Sequence, residues 1–329
     1  MLRSHELARA FEAFDRADAL SGTVLIAQRG AVVFEQAYGF ASRQLNVPNT
    51  LETKFHIASV TKMFTAMAAL VLAERGLIRL HERASASMPQ LSALDDTITP
   101  HHLLSHTSGL QDIYDNRNLR FEMSKLKNEH GDLLSYLVKQ PQLFRPGDGW
   151  RYSSTGYILI GYLLEHVTGL SFADLMRQYV LGPLAMTNTG IDVPRRINPG
   201  RAYGHDVENG QLVNADNDRL SAFPDAPGEL YSTVRDLKRW CDAMFDCPLV
   251  SPQTLTLMFT PYAQAEPSLQ YGYGWFLGPH VRMHGGGTPG FVSRIRQYPE
   301  RQLSLILLLN SQQTNPETIL DAVEPLLVE

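Results

Sequence analysis

The chain has 329 residues, is 44% hydrophobic and 19% charged, and carries a net charge of −5 at pH 7. That length supports one large domain or two closely packed ones, and the composition is that of a soluble globular protein. The weak acidity gives no reason to expect nucleic acid or an anionic membrane as partner, and no window of about 18 uninterrupted apolar residues marks a transmembrane helix.

The first residues, Met1-Leu2-Arg3-Ser4-His5-Glu6-Leu7, carry charges that interrupt any apolar signal core. A cytoplasmic location is therefore expected, or export with a leader already trimmed. Residues 4–17 predict an amphipathic helix, with Leu7, Phe11 and Phe14 at helical spacing. A hairpin follows, in which residues 22–27 and 31–35 flank Gln28-Arg29-Gly30. Ser59-Val60-Thr61-Lys62 then opens an almost wholly apolar run from Met63 to Leu72, ending near Arg75-Gly76, where glycine suits a helix C-terminus.

From about 81 to 250 helical patterns dominate, over 131–140, 155–168, 171–180 and 233–245. Pro141, Pro146, Pro183, Pro194, Pro199, Pro224 and Pro227 punctuate this region. Strand patterns return over 271–277, 281–284, 291–298 and 302–309, and a last helix is predicted over about 316–328. The expected fold class is α/β of the α+β kind. One antiparallel sheet is assembled from both ends of the chain, residues 1–80 and 251–329. A mainly helical subdomain, 81–250, lies beside it, with the active site in the cleft between.

Ser59 and Lys62 form an S-x-x-K tetrad, and residues three apart share a helix face. Serine alone is a weak nucleophile. A lysine amine desolvated beside it favours its neutral form and can take the hydroxyl proton. Ser124 and Lys127 form a second S-x-x-K, but in a charged segment that reads as solvated. The Ser59 amide, in the first helical turn, is available to stabilise developing negative charge.

Two further segments fit acyl transfer. In Arg151-Tyr152-Ser153-Ser154, Tyr152 lies on a tight loop before a helix and can exchange protons near cations; Tyr231-Ser232 is a rival Tyr-Ser pair. In His284-Gly285-Gly286-Gly287-Thr288-Pro289-Gly290, glycines at a strand edge let a substrate approach the backbone, and the amide near Gly287 can complete an oxyanion hole with that of Ser59. Residues 285–290 match G-x-G-x-x-G formally, but a strand pattern follows, which excludes dinucleotide binding. No G-x-S-x-G occurs, which argues against an α/β-hydrolase. Cys241 and Cys247 read as small core residues, and His102 and His106, four apart, as hydrogen-bonded histidines that could share a helix face. No metal or cofactor is implied.

S-V-T-K, then Y-S-S before a helix, then H-G-G on a late strand resembles the serine β-lactamase and penicillin-binding protein superfamily. The order is most similar to its class C β-lactamase-like branch, with D,D-carboxypeptidase, D-aminopeptidase and esterase relatives. Residues 103–110, 231–237 and 271–275 also resemble that branch. The resemblance spans roughly residues 20–310. It implies Ser59 as acylated nucleophile, Lys62 as its base, Tyr152 as second proton-transfer residue, and Gly287 as second oxyanion donor. His284, Gly285 and Gly286 would stand at the third motif, and Ser154 at a substrate-binding position.

Two departures follow from the same resemblance. Ser154 stands where many relatives carry Asn, and His284 where β-lactamases carry Lys. A neutral histidine attracts a substrate carboxylate less than an ammonium does. Both changes disfavour efficient β-lactam hydrolysis and fit a small ester or amide substrate, with esterase activity as first expectation. The alternatives are a D-amino-acid-type peptidase or amidase, a weak β-lactamase, or a non-catalytic binding protein on the same fold.

Overall fold

The computed structural model describes residues 4–115, 130–193, 196–215 and 230–328. The second S-x-x-K, Ser124 to Lys127, lies outside the described residues, as do Pro194, Pro224 and Pro227.

Eight strands form the main sheet: β1 (Gly22–Gln28), β2 (Ala31–Tyr38), β3 (Ala263–Glu266), β4 (Leu269–Tyr271), β5 (Phe276–Leu277), β6 (Arg282–Thr288), β7 (Phe291–Tyr298) and β8 (Leu303–Leu309). The order is β3-β4-β5-β6-β7-β8-β1-β2, and every neighbouring pair is antiparallel. The sheet closes by pairing β1 with β8, Val24 opposite Leu307, which joins the two ends of the chain.

Alternation along the central strands explains the layering. Val24, Ile26, Leu305, Leu307 and Leu309 face one side, where α1 (Ser4–Arg16) and a C-terminal helix (Pro316–Val323) cover them with Leu7, Phe11, Ile319 and Leu320. Leu25, Ala27, Ile306 and Leu308 face the other side and join the larger core around α2 (Thr61–Glu74). Every β8 residue is buried, as expected of a strand covered on both faces. Every residue of α2 from Thr61 to Leu72 is buried too. A helix apolar all round cannot sit at a surface; α2 lies between α4 (Ser154–Thr168) and the helix Val234–Ala243, whose Trp240 stacks on Phe64 and which itself packs on β1 and β8. The short helix α3 (Pro100–Leu104) packs on α4 so closely that a Cβ at Gly156 would lie 3.0 Å from the Leu103 carbonyl oxygen.

Several predicted boundaries shift for identifiable reasons. The stretch 271–277 is two strands, because Gly272 and Gly274 turn the chain between them. A Cβ at Gly272 would lie 2.4 Å from Met258 O, and Gly274 has φ +76°. The 281–284 strand instead runs to Thr288, so the glycine run belongs to the sheet. The 131–140 helix ends at Leu137. The 171–180 helix is α-helical only over Phe172–Met176 and widens into a π-turn over Arg177–Leu181. The last helix divides before Pro325, whose missing N–H cannot continue the hydrogen-bond ladder. The middle region also holds a hairpin, His205–Glu208 with Gln211–Asn214. Its turn, Asn209-Gly210, places both residues at positive φ, as a type I′ turn requires.

Phe11 is almost fully buried and stacks on Phe34 with centroids 5.3 Å apart. Phe11→Ala is expected to cost about 3 kcal/mol through cavity formation and lost apolar burial, read as a lower urea midpoint with an unchanged denaturant slope.

Candidate active site

Ser59 sits in a single 3₁₀ turn, Ala58–Val60, immediately before α2. Ala58 has φ +46°, a left-handed conformation uncommon outside glycine. Four bonds fix this turn. Ile57 N–H donates to Leu230 O at 2.9 Å, Ala58 N–H to His56 Nδ1 at 3.2 Å, and Val60 N–H to Ile57 O at 3.2 Å. Ser293 Oγ donates to Ile57 O at 2.7 Å. The Ser59 N–H belongs to the first turn of the helical run, where amides have no intrahelical acceptor.

One turn on, Lys62 is 2% exposed, and its Nζ lies 3.1 Å from Ser59 Oγ. The all-apolar environment of α2 dictates this burial. The amine also lies 5.0 Å from the Tyr152 ring centroid and 5.7 Å from that of Tyr157, within cation–π range. The third contributor, Tyr152, leads into α4. Its ring lies 4.4 Å from that of His106 and is parallel to that of Phe276, 6.4 Å away.

The β6 strand supplies the opposite wall. The Pro289-Gly290 turn makes Thr288 and Phe291 a hydrogen-bonded pair, so Gly286/Ser293 and His284/Ile295 are hydrogen-bonded pairs as well. The backbone groups of Gly285 and Gly287 therefore point away from β7, toward the edge left open where β5 begins, at Phe276 opposite Met283. Gly286 brings that edge against the serine turn. A Cβ there would meet Ile57 O at 2.2 Å, Ser293 Oγ at 2.5 Å and Ser59 N at 2.9 Å. Only glycine allows this approach, and Gly287, the next residue, lines the same cleft as Ser59. A cleft of about 810 Å³ opens here, lined by Ser59, Tyr152 and residues 284–287, and reaches Arg294 and Glu317 beyond the glycine edge.

The sequence-predicted residues are thus largely brought together, with one correction. Ser154 is the first residue of α4 and is buried, and its N–H donates to Asp112 Oδ2 at 2.9 Å. His102 and His106 do not share a helix face, because α3 ends at Leu104 and His106 adopts φ +61°. His102 caps α3 through Thr99, whereas His106 lies among the site aromatics. The rival Tyr231-Ser232 is structural. It forms a strand with Phe55-His56, and the Ser232 hydroxyl bonds that of Thr189 at 2.8 Å. Cys241 is a buried free thiol pushed by burial up to about 12, and Cys247 is a half-buried free thiol.

Sequence reasoning assigned no role to Tyr271. Its hydroxyl lies 3.1 Å from His106 Nε2 and 3.4 Å from His284 Nε2. The available signal was the aromatic Tyr271-Gly272-Tyr273-Gly274-Trp275 run, whose glycines let the chain pass against α2. A Cβ at Gly274 would lie 3.0 Å from Lys62 O.

The histidines of the site are neutral. Burial, reinforced by the Lys62 charge, pushes His284 down to about 3 and His106 well below the usual histidine range. His284 therefore presents no fixed positive charge to the cleft.

The Beta-lactamase family matches residues 7–328. The chain belongs to that family of serine hydrolases. Penicillin-binding protein 4* of Bacillus subtilis is 28% identical to it, over 99% of this chain and 76% of its own length. The putative penicillin-binding protein PbpX of the same organism is 26% identical, over 90% of this chain and 71% of its own. Among solved structures, a penicillin-binding protein from Bacillus halodurans superposes with a TM-score of 0.86 at 26% identity, covering 97% of this chain and 99% of that one. EstCE1, described as a hydrolase with promiscuous acyltransferase activity, superposes with a TM-score of 0.80 over 98% of this chain and all of its own. At 22% identity that likeness concerns the fold alone.

Two predictions follow from this packing. Gly286→Ala forces a Cβ into the serine turn and is expected to destabilise by about 1–3 kcal/mol, measured by chemical denaturation. The second concerns acid. Burial holds the folded His284 at about 3 and His56 at about 4, whereas a free histidine titrates near 6.5. Unfolding takes up protons between those values. The contribution is fully present above about pH 6.5 and is lost as pH falls toward the folded values. Stability is therefore expected to rise with pH across this window, and His284→Asn to lower the slope by up to about 1.4 kcal/mol per pH unit, read from urea unfolding at several pH values.

Proposed function

We propose that the protein hydrolyses small neutral esters through an acyl-enzyme on Ser59. The observation that carries this reading is the buried Lys62 amine, 3.1 Å from the Ser59 hydroxyl. As Ser59 Oγ attacks the ester carbonyl, its proton passes to Lys62 in its unprotonated form. The carbonyl oxygen becomes an oxyanion between the amides of Ser59 and Gly287, which face the same space and need no reorganisation. Collapse expels the alcohol, which takes up the proton held by Lys62, relayed through Tyr152. Water then attacks the acyl-enzyme and gives a proton to the pair, and the second collapse releases the acid as Ser59 Oγ takes that proton back.

Substrate class follows from what the cleft offers. His284 is neutral, and both its ring nitrogens are occupied, Nε2 by Tyr271 and Nδ1 by the Gly285 carbonyl at 2.7 Å. A substrate carboxylate therefore finds no ammonium at the third motif. Ser154, a short hydroxyl where many relatives carry Asn, offers no side-chain amide to hold an acylamide group. Both features favour an uncharged ester over a peptide carboxylate or a β-lactam. The open edge of β6 supports a second reading, a peptidase or amidase acting on a D-amino-acid-type peptide, because an extended ligand can pair with it as an added strand.

Ser59→Ala is expected to lower turnover of p-nitrophenyl acetate and butyrate by about 10³-fold or more with the melting temperature retained, and Lys62→Ala to cost nearly as much. Undiminished turnover in Ser59→Ala would sink the mechanism. Ligand retention with no turnover in the native protein would favour the non-catalytic binding protein.

A further inference from the structure

A chain of four hydrogen bonds runs beneath the candidate site, and its two ends fix its direction. At one end the Ser153 N–H, adjacent to Tyr152, donates to His106 Nδ1 at 3.2 Å. A backbone amide can only donate, so His106 Nδ1 carries no proton. At the other end His284 Nδ1 lies 2.7 Å from the Gly285 carbonyl oxygen. A carbonyl can only accept, so His284 Nδ1 carries the proton. A neutral imidazole holds a single N–H. His106 must therefore carry its proton on Nε2, and His284 must have a bare Nε2. Tyr271 stands between them, 3.1 Å from the first and 3.4 Å from the second. Its hydroxyl accepts from His106 and donates to His284, which is the one arrangement that satisfies all five groups. The Tyr157 hydroxyl, which also bonds that of Tyr271, donates its own proton to Leu104 O at 2.8 Å; it offers Tyr271 a second acceptor, but only donation to His284 satisfies the bare Nε2.

We propose that His106, Tyr271 and His284 form a one-directional hydrogen-bond relay that ties the Tyr152 loop to the glycine edge of β6 and so sets the position of the Gly287 amide. The three are positioning residues: none needs to touch the reacting atoms. The inference rests on Ser59 being the nucleophile. It explains why three polar groups are buried side by side under a site whose walls come from distant segments, 105–107, 152–153 and 282–288. Glycine at 285–287 gives the edge its close approach to Ser59 but leaves it without side chains to hold it, and beyond β5 it has no neighbouring strand among the described residues. The Gly285 carbonyl points to that open edge and is held there by His284. Burial keeps both imidazoles neutral at pH 7, so each keeps one defined tautomer.

The first test is the tautomeric state of the intact protein, read by long-range ¹H–¹⁵N NMR with ¹⁵N-labelled histidine, resonances being assigned by single substitutions. The relay predicts opposite tautomers at pH 7: Nε2–H for His106 and Nδ1–H for His284. The same tautomer at both, or a protonated ring at either, overturns it. The second test is Tyr271→Phe, which keeps the ring and deletes the hydroxyl. His106→Asn cuts the same link differently. Asparagine tolerates the left-handed backbone at this position, and its Oδ1 can still accept from Ser153 N–H.

Each variant is expected to lower kcat on p-nitrophenyl esters by roughly tenfold or more while KM stays within about twofold, because the amide is misplaced for the oxyanion and not for the bound ester. A purely structural role would leave kcat unchanged in variants that remain folded, and unchanged kcat in either folded variant overturns the proposal. If Ser59→Ala leaves native turnover intact, the reading of Ser59 fails on its own account, and that outcome is distinct from a failed relay.

Discussion

The burial of one amine against one hydroxyl organises this structure. Lys62 stands in a helix that is apolar on every side, and its Nζ hydrogen-bonds Ser59 Oγ. Removing an ammonium from water is costly unless partners compensate. Here the compensation comes from the serine hydroxyl and the faces of Tyr152 and Tyr157. The surrounding architecture serves that placement. The helix Val234–Ala243, seated on β1 and β8, meets α2 through Trp240 and Phe64, α4 packs against α2 as well, and Gly274 lets the chain pass flat against the turn that carries Lys62.

The second constraint is the meeting of the serine turn with the β6 edge. The turn is strained at Ala58 and is held by His56, Leu230 and Ser293. Backbone strain survives only where its surroundings over-determine it, and these three partners come from three different parts of the chain. Gly286 then brings the strand within contact of Ser59 N. The two amides that face the cleft are thus placed by tertiary packing and not by a local motif.

Much of this was legible in the sequence. The tetrad at 59–62 was separable from its copy at 124–127 by the apolar run that follows it, and that run is the buried α2. The β7 strand falls where alternation placed it. What escaped was long-range. His106 and His102 are four apart in sequence, yet a left-handed residue after α3 sends one into the site and leaves the other as a helix cap. The bond from the Ser154 N–H to Asp112, which ties the start of α4 to a distant segment, had no local signal. Tyr271 reads as a strand aromatic, because nothing local says that its hydroxyl falls between two histidines. The Asn209-Gly210 hairpin was visible locally and was obscured by the helical patterns around it.

The central claim is that Lys62 activates Ser59. The most direct measurement is reaction of the native protein with a fluorophosphonate probe, followed by peptide mass spectrometry to locate the adduct. The account predicts a single adduct on the peptide containing Ser59, absent in Ser59→Ala and strongly slowed in Lys62→Ala. A folded native protein that acquires no adduct at Ser59, or labels equally fast without Lys62, would contradict it.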